Sequence, residues 1–268
     1  MLATNLVEKD LYLNKSISYL KNVKITEYDM KTAGFNIIRE LKLLNQEKIN
    51  ELEQMEKKDR TIAIGKIMKS SPEFSKNLTE GFKTFRKKFV ELNNIDEEDI
   101  LSIKKDAIFI IQKTPNVLNV GEFVKFVPKN IYTSYVYING VEMYYDSYTK
   151  KLDVKNLKLD YNVELQYAKG EKFDDDIENF QIFKDFKKMI QLSEKLPSEE
   201  LFNYLKNYRK KYLEKKLPIE TYREVSTGLF SIDNSTIQTK FIDEVDIEFL
   251  DISRNFIEFL IPFFQVLL

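Results

Sequence analysis

The chain has 268 residues and contains no His, no Cys and no Trp. Those zeros exclude a Ser-His-Asp triad, a Cys nucleophile, a Cys/His zinc site and a disulfide framework, so any metal would be held by carboxylates, carbonyls and water, the ligand set of magnesium, manganese or calcium. Lys+Arg 42 against Asp+Glu 43 gives a net charge of -1, without the net basic balance of many nucleic-acid-binding domains, although cations can still cluster on one face.

In chain order, residues 4 to 22 read as a short helix or an irregular lead-in. VKITEYD (23 to 29) alternates apolar and polar residues and reads as a strand ending at Asp29. MKTAGFNIIRELKLL follows, with Ile37, Ile38, Leu41 and Leu44 at helical spacing. Residues 46 to 69 read as one long helix carrying Lys57, Lys58, Arg60 and Lys66, broken by SSPEFS. Residues 77 to 93 form a second helix, with Phe82, Phe85 and Phe89 as its core face and Lys83, Arg86, Lys87 and Lys88 elsewhere. Together they make a helical hairpin. ILSIKKDAIFI then reads as a strand pair with Asp106 near its turn, and strand signals continue to about residue 159, with a hairpin turn at ING (138 to 140). Helical periodicity returns over 176 to 195, 198 to 215 and 244 to 268, with LPIETYREV (217 to 225) as a connector. The order of strand, helices, strands and helices predicts an α+β fold.

Two carboxylates stand out by context. From local pattern alone the plainer reading makes Asp29 a helix N-cap and Asp106 a turn former. The sharper reading has them hold two divalent ions, with cations of the intervening hairpin holding a triphosphate. Tyr132, Tyr135, Tyr137, Tyr144 and Tyr145 read mainly as cross-strand pairs, with Tyr144 set apart as a contact to nucleic acid. The acidic run at 174 to 176 reads as the start of a helix, and FIEFLIPFFQVLL, too short to span a bilayer, as a segment that docks on neighbouring elements or forms a dimer face.

EYDMKTAGFNII resembles motif A of the family B DNA polymerases, where a strand ends in Asp before a helix. ILSIKKDAIFI resembles their motif C, Y-x-D-T-D-S-x-F-V, with Asp106 on the second Asp, Ala107 on the Ser and Lys104 on the first Asp. VEMYYDSYTKKLDVKNL looks like the K-K-R-Y stretch and the element after it, with Tyr144 and Lys155 matching and the basic residues of K-K-R-Y missing. FNYLKNYRKKYLEKKLPIETYREVS resembles the thumb segment that turns near Pro218 and Ile219. The resemblance covers roughly residues 23 to 230, is of a minimal phage-type enzyme, and includes no exonuclease domain.

The resemblance implies a polymerase-like palm sheet at 1–45 and 94–170, a two-helix fingers insertion at 46–93, and a helical thumb at 171–268. It implies a template-directed nucleotidyltransferase, a minimal DNA or RNA polymerase or a primer-synthesising enzyme. Asp29 and Asp106 would be its catalytic carboxylates and, with the Met30 carbonyl, the ligands of Mg2+ or Mn2+. Arg60 is the first choice for the nucleotide, with Lys66, Lys83, Arg86 and Lys87 after it, and Tyr144 and Lys155 would meet the primer-template. Gly34, the fifth residue after Asp29, stands where the family places a sugar-discriminating Tyr, which implies weak exclusion of ribonucleotides. The competing expectation is a catalytically inactive palm-like protein that binds nucleic acid or inhibits a host factor. A third reading sets the resemblance aside: an α+β interaction protein whose Asp29 and Asp106 lie far apart. Partners beyond nucleic acid and nucleoside triphosphates would be replication proteins, no membrane is expected, and the expected location is the cytoplasm, of a host cell if the Lys- and Asn-rich composition reflects a phage.

Overall fold

A computed structural model describes residues 1–156, 181–219, 221 and 262–268. The acidic run at 174–176, residues 176–180 of the helix expected from 176, most of the 217–225 connector and residues 244–261 of the last expected helix lie outside the described residues.

The fold is α+β. Its strands are β1 (Leu11–Leu13), β2 (Tyr19–Met30), β3 (Ile100–Lys104), β4 (Ala107–Ile111), β5 (Phe126–Ile138), β6 (Val141–Asp146) and β7 (Lys151–Lys155). They form a sheet ordered β1-β3-β4-β2-β5-β6-β7. The pairs β1–β3, β3–β4, β4–β2, β5–β6 and β6–β7 are antiparallel. The helices are α1 (Ala33–Leu41), α2 (Gln46–Gln54), α3 (Lys57–Ser70), α4 (Pro72–Leu92), α5 (Gln181–Lys195) and α6 (Ser198–Leu213), with a short 3-10 turn at Glu97–Asp99 and helical backbone again at 262–267.

The chain divides into two compact units, Met1–Asn14 with Lys24–Ile131, and Lys15–Val23 with Tyr132–Leu268. In the first, α4 turns Phe74, Leu78, Phe82, Phe85 and Phe89 inward, as expected for the last three, and all are buried. Phe89 stacks on Phe126 with ring centres 4.0 Å apart. This core is shared by α1, α3, α4 and strands β2 to β4. Helices α3 and α4, from the stretch expected as the fingers hairpin, contribute their apolar residues to this core together with the sheet. In the second unit, Val136, Met143 and Tyr145 of the strands pack with Phe186 and Ile190 of α5 and Leu205 of α6. Phe263 joins them, its ring centred 4.5 Å from that of Phe186, so the apolar tail docks on a neighbouring helix. Tyr135 lies opposite Tyr144 in the β5–β6 ladder, with ring centres 4.9 Å apart, so the cross-strand pairing expected of Tyr135 also takes in Tyr144, which the sequence reading had set apart.

Four boundaries differ from the sequence reading. The lead-in contains β1, which pairs with β3 through Leu11 and Lys104. Strand β2 begins at Tyr19 rather than at residue 23. The helix expected over 46 to 69 is two, because Met55 and Glu56 are extended, at ψ 148° and 154°. Met55 packs against the core there, so burial breaks the helix where neither Gly nor Pro does. Finally α4 starts at Pro72, not residue 77. Ser71 caps it by accepting from the Phe74 amide, and Pro72 fits a first turn that needs no N–H.

Candidate functional site

The β2–β4 ladder sets Asp29 opposite Ala107. The amide of Met30 donates to the carbonyl of Asp106 at 2.9 Å. The end of one strand is thus bonded to the tip of the next hairpin, and Asp29 and Asp106 open onto one cavity of about 350 Å³. Asp29 is not a helix cap: it lies inside β2, and the cap position of α1 is Thr32. Asp106 does occupy a two-residue turn, Lys105–Asp106, between β3 and β4. Both connections run through left-handed residues, Thr32 at φ 49° and Lys105 at φ 54°. Such backbone is uncommon for residues with a Cβ, above all for a β-branched one, and strained positions gather at functional sites.

The carboxyl of Asp29 titrates above its ordinary range. Burial is the first cause, and the charges of Asp106 and Glu27 add to it, while Lys129 and Lys57 oppose them. Glu27, buried on the same strand, accepts from the Asn130 amide at 2.6 Å and pairs with Lys129 at 3.6 Å. Two carboxylates forced together in a partly dry site favour a proton or a cation between them. Oxygen donors of this kind suit a hard divalent ion. Among the described residues no group of three or more acidic side chains could hold a metal ion, so the donors on hand are Asp29, Asp106 and backbone carbonyls such as that of Met30.

Cations rim the same cavity. Lys57, Arg60 and Lys105 line it together with Thr61 and Thr32. The Arg60 guanidinium lies 4.7 Å over the Phe35 ring, and its Nε is buried without a hydrogen-bond partner. Helix α3 has no side-chain cap, so its first-turn amides add a partial positive charge beside Lys57. The ammonium of Lys105 sits 5.3 Å over Phe82. Of the residues singled out from sequence, Asp29, Met30, Gly34, Arg60 and Asp106 meet here. A methyl at Gly34 would come no closer than 3.9 Å to Ile64, so the position has room for a side chain.

The others lie elsewhere. Lys66 is exposed and does not line the cavity. Lys83 and Lys87 line a separate depression with Glu8 and Glu80, and Lys83 pairs with Glu80 at 2.7 Å. Arg86 is fully buried, so it has no open face for a phosphate. Its Nε donates to the Val7 carbonyl at 2.8 Å, and its other nitrogens donate to the carbonyls of Lys9 and Lys105 and to Asp10. It anchors the turn that carries Asp106. In the second unit Tyr144 is also fully buried, its hydroxyl donating to Glu142 at 2.6 Å, with Lys155 5.9 Å over its ring and paired to Asp153. A nucleic-acid contact there would have to come through Lys155, because the Tyr144 ring is closed off.

Sequence reasoning passed over Lys57 and Lys105. A signal existed for both: Lys57 is three residues before Arg60 on a helix, hence on its face, and Lys105 shares a two-residue turn with Asp106. Lys129, by contrast, comes from β5 and had no local signal.

The chain matches the family described as bacteriophage PBS1 gene 130 protein over residues 1–268. It belongs to that family. No curated protein matches the chain. Membership in this phage family agrees with the phage origin suggested by composition. No helix among the described residues is long and apolar enough to cross a membrane.

Proposed function

We propose that this family member is a template-directed nucleotidyltransferase that works with two divalent metal ions, magnesium or manganese. The observation that carries the reading is the convergence of Asp29, from a strand end, and Asp106, from a hairpin tip, on a cavity rimmed by Lys57, Arg60 and Lys105. The order β3-β4-β2 supports it, since the likeness to family B polymerases asks for a motif A strand beside a motif C hairpin. When bound, the metal pair supplies an activated 3′-hydroxyl and neutralises the leaving pyrophosphate. Asp29 and Asp106 hold it, with the Met30 carbonyl as a further donor. Arg60 and Lys57 bind the phosphates, Arg60 through a planar fork suited to them. Phe35 and Phe82 keep water from one wall. Gly34 leaves the sugar edge open, and ribonucleotides are accepted alongside deoxyribonucleotides. The partners are a primer-template, nucleoside triphosphates and replication proteins.

A second reading has its own observation. Lys104 stands where motif C places its first Asp, and among the described residues no third carboxylate joins the pair. That favours a palm-like protein that binds nucleic acid without catalysis. Magnesium-dependent primer extension separates the two. Extension by the wild type, lowered at least ~10³-fold in Asp29→Ala and in Asp106→Ala, each folded by circular dichroism, supports the enzyme; that loss equals about 4 kcal/mol of transition-state stabilisation. A folded wild type that extends no primer with any template or nucleotide, yet binds nucleic acid, rejects it.

A further inference from the structure

The cavity beside the two carboxylates changes character along its length. One stripe of α3 lines it: Lys57, Arg60, Thr61, Ile64, Gly65 and Met68, at the spacing of a single helical face. The stripe is charged at its start and apolar at its end, over about 16 Å of helix axis. Phe35 of α1 and Leu78 and Phe82 of α4 complete the apolar part, and all three are buried. Gly65 leaves this wall bare, for a methyl there would meet nothing within 4 Å. The volume, about 350 Å³, lies within the range of small-molecule pockets.

An inorganic phosphate chain offers nothing to bury against Ile64, Met68, Leu78 and Phe82. A ligand with an anionic tail and a flat apolar body matches both ends. Arg60 stands where the two meet, its guanidinium over the Phe35 ring and its Nε–H without an acceptor. We propose that the apolar depth of this cavity takes the base of a nucleoside phosphate, held by protein side chains rather than by pairing to a template. The inference rests on the nucleotide reading above and adds a binding step that needs no nucleic acid.

The test is equilibrium binding to the full chain, without template, of ATP and of inorganic tripolyphosphate, each with magnesium, and separately of Mn2+. The wild type binds ATP at least tenfold more tightly than tripolyphosphate. Gly65→Leu, which fills the depth without touching the charged rim, weakens ATP at least tenfold and leaves tripolyphosphate and Mn2+ within twofold. Gly65→Ala shows a smaller loss of the same pattern and decides the matter if the leucine variant does not fold. Equal affinity for ATP and tripolyphosphate, equal loss of both in the variants, or no ATP binding while Mn2+ binds would each overturn the base site and leave the metal pair standing. ATP binding that Gly65→Leu removes, in a wild type that binds no Mn2+, supports the base site and rejects the metal pair.

Discussion

Asp29 is where the residue scale says most. Its ionised form is disfavoured in the folded chain by burial and by Asp106. A carboxyl whose folded pKa is raised costs stability at pH values above its unfolded value and costs none once both states are protonated. Without divalent metal, Asp29→Asn therefore raises the melting temperature at pH 7, and the gain shrinks to nothing as the pH falls below the ordinary carboxylate range. Thermal melts of both proteins from pH 3 to pH 8 check this, and a variant less stable than wild type at pH 7 would contradict the coupling. The same substitution should lose the stabilisation that Mn2+ gives the wild type, since a cation relieves the repulsion that the amide no longer has.

At the scale of elements, two residues of α4 decide how the site is framed. Gly81 lies where α4 crosses α1: a methyl there would meet Ile37 Cγ2 at 2.4 Å and Leu41 Cδ1 at 3.0 Å. Gly81→Ala gains ~1 kcal/mol of helix propensity but overpacks the crossing by roughly 1–3 kcal/mol, so a net loss of stability of about 1 kcal/mol is expected in urea unfolding. Arg86 ties α4 to the N-terminal segment and to the β3–β4 turn. Arg86→Met strands the buried Val7 carbonyl and leaves the half-buried carbonyls of Lys9 and Lys105 without their donor, at a cost of ~3 kcal/mol. Arg86→Lys keeps the charge but not the fork, and because the turn it holds presents Asp106, Mn2+ affinity falls in the lysine variant even where it remains folded. Unchanged Mn2+ affinity in a folded Arg86→Lys would leave Arg86 a purely internal anchor.

For the whole molecule, legibility followed how local each cause was. The α+β class, the Phe82–Phe85–Phe89 face, the Asn139–Gly140 turn and the places of Asp29 and Asp106 rest on periodicity and turn chemistry within a few residues, and they could be read. At Asn139 and Gly140 the backbone takes φ 47° and 88° in a two-residue hairpin, as that pair of residues favours. What could not be read depends on distant acceptors and neighbours. Arg86 sits among lysines on a helix that looks solvated, yet carbonyls of residues 7, 9 and 105 draw it inside. Tyr144 looked available because nothing local announces Tyr132 of β5 packing against its ring, although Glu142, two residues before it on the same strand face, takes its hydroxyl. The compact units were hidden at two of their three boundaries, Val23–Lys24 and Ile131–Tyr132, which fall inside β2 and β5, where continuous strands give no signal; the third, Asn14–Lys15, lies between β1 and β2.

The ladder joining β2 to β4 works as a ruler. Asp29 faces Ala107 because Ile25 faces Ile111, rung by rung, and Ile25, Thr26, Glu27 and Tyr28 are all buried. A slip by one residue would turn every one of these side chains over, and a slip by two would carry Asp29 about 7 Å from its place beside Asp106. Drift in this family should therefore be asymmetric. The rungs can change in kind, but not in number, between Ile25 and Asp29 or between Ala107 and Ile111, and length variation has to fall in the connections outside them.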